Sequence, residues 1–389
     1  MRFLRTAGVV LAITVGLYLA LDLSVGFLFP GLINPQVRNG ASIPALAQAP
    51  YAVPEFFREE GVEPGSWVTI SDEGLVAPAE YHGQFFNVDR LPPTDGFYRR
   101  TINPVADDRP QRTILIVGGS TVYSPEAPDD GTIPSFVSQR LNQIDPSHRY
   151  VVYNAGVTGT DSGDDRARVA YELLHGLRPD VIVAFDGQSD IVYGMYMGLA
   201  GMPSPQAQSR TGLRGFLHDH LPMNIIKAIW LMRKSRATAL HENVAPAHLK
   251  DPRRLADLIL KAAAIYSSNQ LAMAGLAAKT NAVFLSVLPP SPFSAVYDRP
   301  IADITASRQA AEAGFPGLGA IEPAAQAALA ESLRKLEDQN FHSLDLSGAL
   351  KDKTEPVFVN FSHLNASGNR MLGYMIAEAI AKVSFPGAP

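Results

Sequence analysis

The reading of this chain turns on the stretch Thr113-Ile114-Leu115-Ile116-Val117-Gly118-Gly119-Ser120-Thr121. Its aliphatic run has no polar interruption, as in a strand covered on both faces of a sheet. Two glycines then let the backbone turn sharply and approach its neighbours closely. They leave a serine hydroxyl at the carboxyl end of the strand, where open α/β sheets form their ligand crevice. The same kind of run recurs at Tyr150–Asn154, Val181–Asp186 and Ala282–Val287. Helical stretches alternate with these runs. One opens at Thr132, an N-cap residue followed by Pro134, and another at Ser162, which has capping-box spacing to Asp165. Others are expected over Pro252–Thr280, Glu322–Asp338 and Ala366–Val383. This alternation predicts an α/β domain over residues 111–389, a parallel sheet wrapped by helices. Residues 193–250 break the rhythm and read as an insertion over the sheet.

Upstream of the domain the pattern changes. Prolines recur from Pro30 to Pro110, so residues 31–110 are expected to be a spacer and an irregular extension. Within it, Glu55-Phe56-Phe57 and Gln84-Phe85-Phe86-Asn87-Val88 are apolar enough to dock on the main domain. In residues 1–30, Arg2 and Arg5 precede an apolar segment in which Asp22 is the sole charge. As a helix, Leu4 to Leu23 would span about 30 Å, with Arg5 and Asp22 reaching opposite interfaces. Positive residues ahead of the segment place the N-terminus in the cytoplasm and the rest of the chain beyond a cytoplasmic (inner) membrane, periplasmic or extracellular. A cleaved signal peptide is the competing reading, with small-residue sites at Ala45-Leu46-Ala47 and Ala47-Gln48-Ala49. A third reading is an amphipathic helix packed in a soluble core.

Composition excludes several function classes. The chain has 389 residues, 46% of them hydrophobic, and a net charge of −5, which suits a folded domain with a large core. No basic stripe with interleaved aromatics is present, so nucleic acid is not an expected partner. The absence of cysteine excludes disulfides, thiolate metal sites and a cysteine nucleophile. His218-Asp219-His220 has no third ligand at suitable spacing and reads as a polar loop, so no metal is expected. Gly118-Gly119 is followed neither by the lysine of a phosphate loop nor by a dinucleotide glycine pattern, so no cofactor is expected. Met195, Tyr196, Met197, Met202 and Ile225–Met232 are read as helix packing, with an acyl-chain groove or a membrane-facing surface as the alternatives.

Four loops at strand ends carry chemistry-bearing residues: Gly118-Gly119-Ser120-Thr121, Asn154-Ala155-Gly156-Val157-Thr158-Gly159, Asp186-Gly187-Gln188-Ser189-Asp190 and Asn360-Phe361-Ser362-His363-Leu364-Asn365. A serine nucleophile needs a base within hydrogen-bond reach and donors aimed at the developing oxyanion. In this order and at these places the four blocks resemble those of the SGNH (GDSL-type) hydrolases, a family of esterases, lipases, thioesterases, carbohydrate deacetylases and some acyltransferases. The resemblance spans roughly residues 112 to 383. It implies a three-layer α/β/α sandwich with a parallel, flavodoxin-like sheet. It also implies that Ser120 is the nucleophile, His363 the base, and Gly156 an oxyanion donor.

Two positions depart from the family pattern. The asparagine of the third block is Ser189, a shorter hydroxyl donor, and the aspartate of the Asp-x-x-His pair is Asn360. An amide can hold an imidazole but cannot stabilise its positive charge, and such a replacement in a serine-protease triad lowers turnover about 10⁴-fold. An attenuated site is therefore expected, and a strong rise in rate with Asn360→Asp would confirm position 360 as the acid position. The imidazole would otherwise be oriented by a backbone carbonyl or another carboxylate, with Asp186 and Asp190 as candidates; Asn154 and Asp190 also read as loop scaffolding. The resulting expectation is a membrane-anchored serine esterase or deacylase acting on a small-molecule or glycan acyl ester of the envelope. An O-acyltransferase using the same site, and a noncatalytic glycan-binding or assembly-organising protein, are the alternatives.

Overall fold

Residues Ile114–Val117 do form a buried strand, and their alternation organises the molecule. The computed structural model describes residues 17–18, 68–70, 75–202, 245–293, 302–337, 341–353 and 355–384. The strand β6, Gln111–Gly118, lies between β7, Arg149–Asn154, and β8, Val181–Phe185, parallel to both. Beyond β8 come β9, Val283–Leu288, and β10, His342–Asp345, also parallel. The five parallel strands thus run β7-β6-β8-β9-β10, the flavodoxin-like order.

Successive side chains of a strand point to opposite faces, and each face here has its own core. Leu115 and Val117 pack with α3 (Ser162–Leu174), α4 (Pro252–Lys279) and α6 (Leu318–Glu337). Ile114 and Ile116 pack with α2 (Ile133–Ile144) and α7 (Ala366–Ser384). The result is a three-layer sandwich. The short α1, Ser120–Tyr123, follows β6, and α5, Ala302–Gly314, lies in a stretch that the sequence reading left unassigned.

Helix starts follow side-chain capping, with two shifts from expectation. Thr132 caps α2 by accepting from Ser135 N at 3.2 Å, as its sequence suggests. For α3 the capping box is Asp161 with Asp164, one residue before the Ser162–Asp165 pair. Ser162 is not the cap because its hydroxyl is committed elsewhere, donating to Asp190 at 2.5 Å. Helix α6 begins at Leu318, one turn before Glu322, with Pro323 inside it. Its first turn is held by Glu312, whose carboxylate accepts from Gly317 N and Gly319 N, each at 2.7 Å.

The N-terminal extension is the larger correction. Strands β1, Val68–Ile70, and β2, Val76–Pro78, form a small antiparallel sheet. Strands β3 (Tyr81–His82), β4 (Asn87–Leu91) and β5 (Gly96–Arg99) join the main sheet antiparallel, beyond β7, through Arg99 paired with Asn154. Pro92 and Pro93 occupy the β4–β5 turn and interrupt no ladder, so proline density did not exclude strands here.

Among the described residues no helix is long and apolar enough to cross a membrane. The Leu4–Leu23 segment lies outside them except for Leu17 and Tyr18, which are helical and exposed. The signal-peptide sites, Glu55-Phe56-Phe57, His218-Asp219-His220 and Ile225–Met232 also lie outside.

Candidate active site

The turn after β6 is forced by close approach. A Cβ on Gly118 would stand 2.3 Å from the Phe185 carbonyl oxygen and 2.5 Å from Val122 Cγ2, so only glycine lets β6 enter α1 here. Ser120 is then the first residue of α1. It lines a cleft of about 100 Å³ with Gly119, Gly159 and Ser189 on its polar side. Val192, Tyr193, Phe315 and Phe361 line the apolar side. The first N–H groups of a helix have no intrahelical acceptor, which leaves that of Ser120 available to an oxyanion.

His363 arrives from the far end of the chain on a tight loop. Phe358 and Leu364, both buried, form an antiparallel bridge, and Val359 N donates to His363 O at 2.9 Å. The loop is tied to the serine turn by Thr121 Oγ1, which donates to Ser362 O at 3.0 Å. Ser362 itself lines the cleft.

The group behind the imidazole is Glu126. Its Oε1 lies against His363 Nδ1 in a short contact, and the two side chains are only 15% and 14% exposed. An ionised carboxylate can only accept, so Nδ1 is the donor in this contact. The His363 Nε2 is buried and has no hydrogen-bond partner among the described residues.

Asn360 has a definite role in this arrangement. Its Oδ1 accepts from Ser362 N and His363 N, both at 2.9 Å, which fixes the orientation of the amide. Its Nδ2 therefore faces Glu126 Oε1 at 3.3 Å and lies 3.0 Å from His363 Nδ1. The amide and the imidazole both direct a proton at the same carboxylate oxygen. Asn360 is thus a loop clamp and a donor to Glu126, and the negative charge comes from another part of the chain.

The other expected residues divide. Ser189 stands in the cleft, its Oγ 3.4 Å from where a Cβ on Gly119 would be. Gly156 does not line the cleft: its N–H donates to Asn154 Oδ1 at 3.1 Å. A Cβ there would meet Tyr123 N at 2.6 Å, so Gly156 is the contact that lets the second loop pack on α1. Gly159, three residues on, is the glycine of that loop in the cleft. Asn154 also donates to Val122 O at 3.0 Å, and so scaffolds both loops.

Asp186 and Asp190 do not orient His363. Asp190 accepts from Ser162 N at 3.3 Å as well as from the Ser162 hydroxyl, while Asp186 accepts from Gln270 Nε2 at 2.7 Å. Both lie buried beside Asp161 and Asp165. Burial, reinforced by neighbouring carboxylates, holds Asp165 and Asp190 well above the usual carboxylate range and pushes Asp161 up to about 6. Asp186 is also pushed up to about 6 by burial, against hydrogen bonds from Asp165 and Gln270 that favour its ionised form. At the back of the cleft Gln188 donates to Glu322 at 3.1 Å, and burial pushes that carboxyl up to about 7. Among the described residues no group of side chains could hold a metal ion.

No family model matches the sequence, and no curated protein matches it. Among solved structures the chain is similar to a member of the lipolytic protein G-D-S-L family from Veillonella parvula, at 11% identity and TM-score 0.39, covering 69% of this chain and 97% of that one. It is similar to Est24, a carbohydrate acetylesterase from Sinorhizobium meliloti, at 14% identity and TM-score 0.37, covering 70% and 99%. It is also similar to a catalytic mutant of Axe2, an acetylxylan esterase from Geobacillus stearothermophilus, at 12% identity and TM-score 0.38, covering 71% and 95%. At such identities the functional reading rests on the site's own geometry.

Sequence reasoning missed Glu126 and chose Gly156 over Gly159. The signal for Glu126 was a carboxylate in Ser124-Pro125-Glu126-Ala127-Pro128, a loop opening directly off the short helix that begins at Ser120.

Proposed function

We propose that this protein is a serine esterase or deacylase of the SGNH type, with Ser120, His363 and Glu126 as its triad. Ser120 Oγ attacks the acyl carbon as its proton passes to His363 Nε2, and the ester carbonyl oxygen becomes an oxyanion. Glu126 stabilises the imidazolium through Nδ1–H. The Ser120 and Gly159 N–H groups and the Ser189 hydroxyl donate to the oxyanion. The C–O bond of the tetrahedral adduct then breaks, and the leaving alkoxide takes the proton from His363. Water, deprotonated by the same nitrogen, releases the acid from the acyl-serine.

The observation that carries this reading is the Glu126 carboxylate on His363 Nδ1, beside a cleft that contains Ser120. The noncatalytic alternative drew its force from Asn360 as a missing acid and Ser189 as a missing amide donor, and a carboxylate at Glu126 removes the first of these motives. The test is hydrolysis of short aryl esters by the full-length protein in detergent, with fluorophosphonate labelling. Turnover and labelling that both disappear in Ser120→Ala support the reading. Equal turnover by wild type and Ser120→Ala, with no labelling, would sink it.

Arg2, Arg5 and the apolar segment that follows support a membrane anchor with the hydrolase domain outside the cytoplasm. That placement favours an acyl ester of an envelope carbohydrate or lipid as the substrate. Protease digestion of intact spheroplasts tests the topology: degradation of the domain fits, and protection contradicts it.

A further inference from the structure

The loop that carries Glu126 is fixed by the N-terminal hairpin. Arg99, at the end of β5, is fully buried, yet it is a charged residue in a place where an aliphatic one would pack. Its Nη2 donates to Ala127 O at 2.9 Å, on the residue next to Glu126. Its Nη1 pairs with Asp129 and donates to Asn87 O at 3.2 Å. The guanidinium lies 3.7 Å from the centre of the Phe86 ring. Asp129 in turn accepts from Asn87 N at 3.0 Å and Asn87 Nδ2 at 2.6 Å, and its own N–H donates to Phe85 O at 2.8 Å. At its other end the loop is closed by Ser124 Oγ, which donates to Thr121 O at 2.7 Å.

A buried ion pair contributes little to stability over a hydrophobic replacement, but it does fix one geometry. Here the fixed geometry is the backbone next to Glu126, held through the Ala127 carbonyl. We propose that Arg99 is a positioning residue for the Glu126 carboxylate, so that the β4–β5 hairpin is part of the catalytic apparatus. The proposal rests on the triad reading above. Displacing an oriented group by about 1 Å costs on the order of 10²-fold in rate, which sets the scale of the effect.

A double-mutant cycle in the full-length protein tests it. Arg99→Lys and the milder Asn87→Ala are each made in wild type and in Glu126→Gln, with kcat, KM and fluorophosphonate stoichiometry measured for all. In wild type, Arg99→Lys should lower kcat roughly 10- to 100-fold and Asn87→Ala roughly 3- to 10-fold, with KM little changed and stoichiometry intact. In the Glu126→Gln background each should change kcat by less than about two-fold, because the group they position is gone. Equal losses in both backgrounds would overturn the proposal and leave the triad standing. If Glu126→Gln itself leaves kcat unchanged, the triad reading falls and the inference falls with it. Should Arg99→Lys fail to fold, the two Asn87→Ala factors decide.

Discussion

At the end of β6 a carboxylate faces an imidazole; at the end of β8 carboxyl groups face one another. Glu126 sits in a loop whose backbone is held at several points, and its contact is with a ring nitrogen that gains charge in the proposed mechanism. Asp186 and Asp190 lie against Asp161, Asp165 and the buried amides of α4, where burial favours their protonated forms. The sites stand at neighbouring strand ends, and residue type alone does not separate them. What separates them is the partner. A carboxylate beside an imidazole can stabilise positive charge on the ring, whereas carboxyls buried among carboxyls hold protons and brace the loops around them.

The sharpest break between the two regions is Glu126→Gln. It should lower kcat about 10³- to 10⁴-fold in aryl-ester assays, because the amide no longer stabilises the imidazolium. Next comes Asn360→Asp, which an aspartate-restoring view would expect to raise activity. Here it puts a second carboxylate beside Glu126, and like charges at one site cannot both ionise freely. A loss of roughly 10- to 100-fold in kcat is expected; a gain would mean that position 360 is the acid position after all. Ser189→Ala should cost about 10-fold, as a hydroxyl donor is lost while backbone donors remain. The smallest effect on rate belongs to the other region: Asp165→Asn should leave kcat within about two-fold, since Asp165 does not line the cleft, which the cluster reaches only through Asp186.

Asp165→Asn should instead change the pH dependence of stability. Asp186 is raised from 3.8 to about 6, so the folded state keeps protons that the unfolded chain releases. Stability from this group is therefore fully present below about pH 4, falls as pH rises through about 6, and is flat above. An asparagine at position 165 removes a second carboxyl that burial holds well above its usual range, so the combined fall should be shallower. Thermal melts between pH 4 and pH 7 read it, and an unchanged slope would mean that the Asp165 carboxyl does not contribute to the fall.

Much of this was legible because the chain repeats one signal. Buried aliphatic runs mark the parallel strands and the loops beyond them, and the resemblance of four such loops to a known block pattern is what singled out Ser120, Ser189 and His363. Glu126 could not be found that way. It lies 237 residues from His363, in a proline-flanked loop without periodicity, where a carboxylate reads as solvated surface. The second loop offered two glycines three residues apart, and only the approach of Tyr123 decides that Gly156 packs while Gly159 faces the cleft. Strands β4 and β5 were hidden for a different reason. Their prolines sit at the turn, and proline counted over a window says nothing about which residues of a ladder need their N–H.

In the proposed triad the charge that faces His363 stands at position 126 and not at position 360. The most direct test of that placement is the carboxylate swap, with kcat compared for wild type, Glu126→Gln, Asn360→Asp and the double variant Glu126→Gln/Asn360→Asp. If the placement holds, each single variant is slower than wild type and the double variant is at least about 10-fold faster than Glu126→Gln, because one carboxylate again faces His363. A Glu126→Gln protein that turns over at the wild-type rate would contradict it.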